Sequence, residues 1–130
     1  VIHGIGVDVV LTQRVASVLE RHGERFARRV LCEAEWRDFE DAADPGVFLA
    51  KRFAAKEAFG KALGTGVRAP ATLHALWVVR DALGKPAFRF SDSLARWMAE
   101  RGIQHHHLSL SDEQGVAVAM VVLESGEAQT

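Results

Sequence analysis

Residues 45–63, PGVFLAKRFAAKEAFGKAL, carry the strongest helical periodicity in the chain. Pro45 suits a first helical turn, where its missing N–H is not needed, and the pattern predicts a helix over 46–63. Phe48, Arg52, Ala55, Phe59 and Ala62 recur three or four residues apart, so they share one face. The turn Gly64-Thr65-Gly66 ends the helix. Gly60 is unusual inside it and costs about 1 kcal/mol against alanine. Close packing or a tolerated substitution would account for it.

Upstream, residues 2–10 are rich in Val and Ile and read as a strand. Gly4 and Gly6 weaken it and allow another backbone to approach closely. Asp8 stands among Val7, Val9 and Val10, and a carboxylate buried there needs a partner. Thr12 reads as the N-cap of a helix that stops at Gly23, followed by short helices over 24–30 and 33–41. Downstream, strands over 73–79 and 87–90 flank the turn Asp81–Pro86. A helix capped by Ser91 or Ser93 runs to about Arg101. Residues 105–111 and 115–123 form a closing hairpin. Strands and helices do not alternate regularly, so the expected class is α+β, with a mainly antiparallel sheet packed with the long helix. One domain is expected over residues 1–124, with a frayed tail at 125–130.

Composition narrows the function. The 130 residues are 48% apolar and 25% charged, ordinary values for one globular domain. Sixteen Lys and Arg oppose seventeen Asp and Glu, so the basic excess of a nucleic-acid binder is missing. No apolar run approaches the ~18 residues that span a bilayer, and Val-Ile-His-Gly at the start does not read as a signal peptide. The single Cys32 permits no internal disulfide, and a cytoplasmic location is expected.

Glu57 and Lys61 are four residues apart on the long helix, so their side chains are neighbours. Alone, such a pair is an ordinary surface ion pair. The Gly64-Thr65-Gly66 turn beside it offers backbone N–H groups and a hydroxyl to phosphate oxygens, although the P-loop pattern is absent. Asp8 adds a second carboxylate from a separate element. Two carboxylates with phosphate oxygens suit Mg²⁺, and a lysine offsets charge on a leaving phosphate. Spacing therefore suggests phosphoryl-type transfer.

Three segments resemble the 4′-phosphopantetheinyl transferases, specifically the short bacterial holo-acyl-carrier-protein synthase type. Gly6-Val7-Asp8 is similar to the family's Gly-x-Asp. Phe53 to Lys61 is similar to its Phe/Trp-x-x-Lys-Glu-Ala-x-x-Lys signature, and Ala62-Leu-Gly-Thr-Gly-Val continues as that class does. Arg14, Gly84-Lys85-Pro86 and the late His-Leu-Ser-Leu-Ser fit in order and spacing. The resemblance implies transfer of 4′-phosphopantetheine from coenzyme A to a serine of an acyl carrier protein, releasing adenosine 3′,5′-bisphosphate. It implies Mg²⁺, with Mn²⁺ as an alternative, and a homotrimer with sites between subunits. Asp8 and Glu57 fall on the metal-binding acids, and Asp8, Glu57 and Lys61 on the catalytic set. Glu57, directly or through a water, would take the serine proton.

Coenzyme A contacts implied in the same way are Lys61, Gly64, Thr65, Gly66, Lys85, Pro86 and His107. Whether His107 is a base or only a contact stays open. Arg52 would reach the 3′-phosphate or pair with an acid on the 33–44 segment. Residues 14–29 hold five arginines against Glu20 and Glu24, whereas 33–44 hold six acids against Arg37. Both could be solvated helix faces. A basic helix would also steer an acidic carrier, and Arg14, Arg21, Arg25 and Arg28 are the expected carrier contacts. Phe48, Phe53, Phe59, Trp36, Trp77 and Trp97 read as core, with Trp77 alternatively at a subunit interface. His105 and His107 share a strand face, and two histidines without a third ligand make a poor zinc site. The rival functions are a non-catalytic coenzyme A or nucleotide binder, and a metal-binding trimer built on the histidines.

Overall fold

The computed structural model describes residues 1–126, with elements in the order β1 (Ile2–Leu11), α1 (Thr12–His22), α2 (Glu24–Val30), α3 (Glu33–Asp41), α4 (Pro45–Leu63), β2 (Leu76–Arg80), β3 (Pro86–Phe90), α5 (Asp92–Glu100), β4 (Ile103–Glu113) and β5 (Val116–Ser125). Every strand pairing is antiparallel, as the α+β reading expects. The strands divide into a three-stranded sheet, β1-β5-β4, and a two-stranded sheet, β2-β3.

α4 is the spine. Its C-terminal half, from Ala54 to Leu63, packs in one apolar cluster with Leu76, Phe88, Leu94, Leu108 and Val121. Leu49 and Ala50 at its other end enter a second cluster with Val15, Val30, Trp36 and Phe39. The single apolar face expected from spacing is therefore too narrow, because neighbours pack around most of the helix. The helix meets β1 at very short range. A Cβ on Gly4 would overlap the Ala62 carbonyl oxygen, and one on Gly6 the Ala58 carbonyl oxygen. Both glycines serve the close approach expected of them, and that approach sets Asp8 beside Glu57 and Lys61. Gly60 is explained similarly, since a Cβ there would strike the backbone of Gly66 and Val67.

Several boundaries move. Leu11, not Thr12, holds the N-cap position of α1, and Thr12 instead donates its N–H to the Gly115 carbonyl at 2.9 Å. β2 starts at Leu76 rather than residue 73. The β4–β5 turn is Gln114-Gly115, both at positive φ (48° and 84°), as a two-residue hairpin requires. Of the expected frayed tail, Ser125 ends β5 and Gly126 donates to the Gly102 carbonyl at 2.9 Å; residues 127–130 lie outside the described ones.

Candidate active site

Asp8 reaches the site from β1, and Glu57 and Lys61 reach it from successive turns of α4. The Lys61 ammonium donates to Asp8 Oδ1 at 3.2 Å and to the Val7 carbonyl at 3.0 Å. Burial, and then the Asp8 charge, raises the proton affinity of Glu57, with Lys61 partly offsetting them. The sequence thus places its three catalytic candidates together. Two carboxylates from separate elements leave positions for waters and phosphate oxygens, a donor set that fits Mg²⁺. Among the described residues, no group of three or more His, Cys, Asp or Glu side chains gathers to hold a metal, which leaves the histidine zinc reading without support.

Asp8 and Glu57 line a groove of about 370 Å³ with Arg14, Val18, Phe26 and Phe53. Val18 and Phe26 also line an adjoining groove of about 420 Å³ with His22, Arg25 and Arg29. The two form one channel with an apolar floor and a basic rim. Phe53, expected in the core, belongs to that floor. Arg14 and Arg25 line the channel, and Arg21 is exposed nearby on α1. Arg28 turns elsewhere. Its guanidinium stacks 3.9 Å from the Trp36 ring centre and lies 3.9 Å from Glu33. Arg29 lines the channel in its stead. Spacing could not have chosen between them, since Arg28 and Arg29 lie three and four residues after Arg25 and both neighbour it on the helix.

The two readings of Arg52 resolve toward the acid pair. Its guanidinium, 2% exposed as a residue, donates to Glu35 Oε2 at 3.0 Å and to the Val78 carbonyl at 3.2 Å, and sits 3.5 Å from Asp38. It is therefore committed to the core rather than to a coenzyme A phosphate. Glu35 was not singled out by sequence. It is fully buried and accepts from Lys56 at 2.7 Å and from the N–H groups of Cys32 and Val78. Lys56 also donates to the Val30 and Leu73 carbonyls. The available signal was an acid two to three residues into a helix beside the apolar Trp36. Cys32 lies against this cluster, and burial pushes its thiol pKa up.

The phosphate-loop expectation needs correction in one respect. Gly64 and Gly66 both donate their N–H groups to the Gly60 carbonyl at 3.0 Å, and the Thr65 hydroxyl bonds the Gly66 carbonyl at 2.9 Å. Those donors close the loop on itself. Lys85 closes the β2–β3 turn, where the Asp81 carboxylate accepts its N–H at 2.9 Å, and Pro86 opens β3. His107 stands on the outward face of β4, with its ring on the Glu124 carboxylate. That bond holds Glu124 below the usual carboxylate range. None of these three lines the groove of Asp8 and Glu57.

Comparison with known proteins shows the family and the fold. Residues 4–121 match the model of the 4′-phosphopantetheinyl transferase superfamily. The chain is 56% identical to a holo-[acyl-carrier-protein] synthase of Nitrosomonas europaea over 123 residues, covering 95% of this chain and 98% of the relative. The crystal structure of the corresponding synthase from Neisseria meningitidis superposes with a TM-score of 0.93 at 43% identity, covering 96% of this chain and all of that one. A Bacillus anthracis synthase described in complex with CoA (3′,5′-ADP) superposes at 0.81 and 35% identity, covering 96% and 98%.

Proposed function

The chain belongs to the 4′-phosphopantetheinyl transferase superfamily, and from that premise we propose that it works as a holo-[acyl-carrier-protein] synthase. It transfers 4′-phosphopantetheine from coenzyme A to a serine of an apo-acyl carrier protein for fatty acid or polyketide synthesis. The observation that carries this reading is the Asp8–Glu57–Lys61 grouping at one end of a groove with an apolar floor and an arginine rim.

Asp8 and Glu57 would hold Mg²⁺ or Mn²⁺, which when bound supplies electrostatic stabilisation to the diphosphate. The carrier serine oxygen bonds to the phosphorus bearing pantetheine, and the bond from that phosphorus to the leaving adenosine 3′,5′-bisphosphate breaks. Glu57, directly or through a water, accepts the serine proton. Lys61 offsets the charge gained by the bisphosphate. Arg14, Arg25 and Arg29 steer the acidic carrier into the channel, while Val18, Phe26 and Phe53 receive its apolar side.

A homotrimer completes this reading. Ile5, Val7, Val9 and Leu11 of β1 and Met120 of β5 project from the outward sheet face and are 45–61% exposed. An apolar face of that kind suits a second copy. Assembly across it would bring Lys85, Pro86 and His107 of neighbouring subunits toward the phosphates. The free Cys32 and the absence of a membrane-spanning helix among the described residues are compatible with cytoplasmic work.

Intact-mass spectrometry of an apo-acyl carrier protein with coenzyme A, Mg²⁺ and this chain tests the proposal. The carrier gains the mass of one phosphopantetheine arm, and EDTA abolishes the gain. No gain on several carriers, with coenzyme A still raising the melting temperature, would replace the enzyme with a binding module.

A further inference from the structure

We propose that Lys61 acts as a resident cation that guards Asp8, releases it when a divalent metal binds, and then passes to the diphosphate of the incoming substrate. The proposal rests on the metal role assigned to Asp8 and Glu57 above, and adds an order of events and the residue that enforces it.

The geometry motivating it is the contact of the Lys61 ammonium with Asp8 Oδ1 and the Val7 carbonyl. One of the carboxylate oxygens expected to hold the metal is therefore engaged by an internal cation. The other acid, Glu57, feels both Asp8 and Lys61. Two carboxylates alone would repel each other, and Lys61 reduces the excess negative charge to one. A divalent ion reverses this balance. With the metal between the carboxylates, an ammonium still at Asp8 would face a like charge. It would lose its electrostatic reason to stay.

The Lys61 side chain is 53% exposed and the Asp8 side chain 16%. A lysine–carboxylate pair whose ammonium end is half exposed is weak, so a divalent cation with two carboxylate ligands can displace it. The lysine stem is flexible and rooted in the last turn of α4, so the ammonium can move without backbone change. A diphosphate supplies its next partner. The loop past the helix does not compete for that role, because the Gly64 and Gly66 N–H groups are spent on the Gly60 carbonyl. Lys61 is thus the group that links metal occupancy to phosphate binding. Without metal it is held back at Asp8, and with metal it is free to recruit the anion.

Two measurements on the full chain test this. Titration of Mn²⁺, followed by the paramagnetic resonance of the free ion, reports metal binding without catalysis. Amine acetylation with peptide mapping reports the accessibility of Lys61, with Lys51, which pairs with Asp112 away from the groove, as the internal reference. Saturating Mn²⁺ without coenzyme A raises Lys61 labelling about threefold or more and leaves Lys51 unchanged, and adding coenzyme A returns Lys61 to or below its metal-free rate. Lys61→Met binds Mn²⁺ about fivefold more tightly than the parent without coenzyme A. If bound Mn²⁺ leaves Lys61 labelling unchanged, or if Lys61→Met does not tighten Mn²⁺, the handover is wrong while the metal site stands. If Asp8→Asn leaves the Mn²⁺ titration unaltered, the metal assignment itself fails, and the handover with it.

Discussion

Lys56 and Glu57 are neighbours in the chain, yet they serve ionic clusters on different sides of α4. Lys56 joins Arg52 and Glu35 where no water reaches, and each member has several short partners. Glu57 joins Asp8 and Lys61 at the lip of a groove, with a single direct ion pair between strand and helix. Helix geometry separates them by about 100° over one residue. The core cluster is saturated, and a ligand would find nothing to replace. The groove cluster is undersaturated, so its groups have capacity left for a cation and a phosphate. A motif that looks uniform in one dimension thus divides into residues whose partners are buried in the core and residues left open at a groove.

The largest stability effect is expected in the core. Glu35→Ala leaves Lys56 buried without an acid and Arg52 with Asp38 alone, and costs about 3–5 kcal/mol, against a total of roughly 5–15 kcal/mol for a domain. Urea unfolding checks this, and a loss below about 1 kcal/mol would contradict the view that the cluster is dry. The seam between the regions is next. Gly6→Ala forces β1 off α4 by collision with the Ala58 carbonyl, with a stability loss of about 1–3 kcal/mol. Transfer per folded molecule should fall as well, because Asp8 moves with the strand.

Charge reversal separates the two adjacent arginines of α2. Arg29→Glu should raise the KM for the carrier by about tenfold with kcat held, an effect that added salt diminishes. Arg28→Glu should leave KM within about twofold, since its guanidinium is stacked on Trp36. Steady-state kinetics at two ionic strengths decides between them.

The smallest effect concerns His106. Its ring packs against Phe90 with centroids 4.9 Å apart, and its Nδ1 is buried without a partner. Burial first, and then His107, Arg89 and His105, hold its pKa below the ordinary 6.5. The unfolded chain therefore binds the proton more readily. Stability should fall as pH drops below about 6.5 and level off beneath the folded-state pKa. His106→Leu should flatten that part of the pH–stability curve, as melting temperatures from pH 7.5 to 5 would show.

The elements were legible because local signals agreed. Pro45, the apolar repeat and Gly64 outlined α4, and β-branched residues marked β1. Asp8, Glu57 and Lys61 were legible as candidates because their types suit one chemistry. The role of Arg52 was not. A basic residue one turn before Lys56 looks the same whether it faces phosphate or a buried Glu35, and only the fold brings α3 against it. Arg28 and Arg29 posed the same problem, as adjacent residues with equal charge and different directions. The self-closed Gly64–Gly66 loop was equally hidden, because it depends on which carbonyl receives the two N–H groups.

If α4 divides in this way, the groove cluster gives up stability for reactivity. Glu57→Gln tests it most directly, with melting temperature and carrier-modification rate measured on the same metal-free and Mg²⁺-loaded samples. The raised pKa of Glu57 means that ionisation disfavours the folded state as pH rises above about 4.5. The variant should therefore melt at or above the parent temperature at pH 7 without metal, while transfer with Mg²⁺ falls by about 10²–10⁴-fold. A variant that melts lower and still transfers within a few-fold of the parent would place Glu57 with the structural residues and contradict the division of α4.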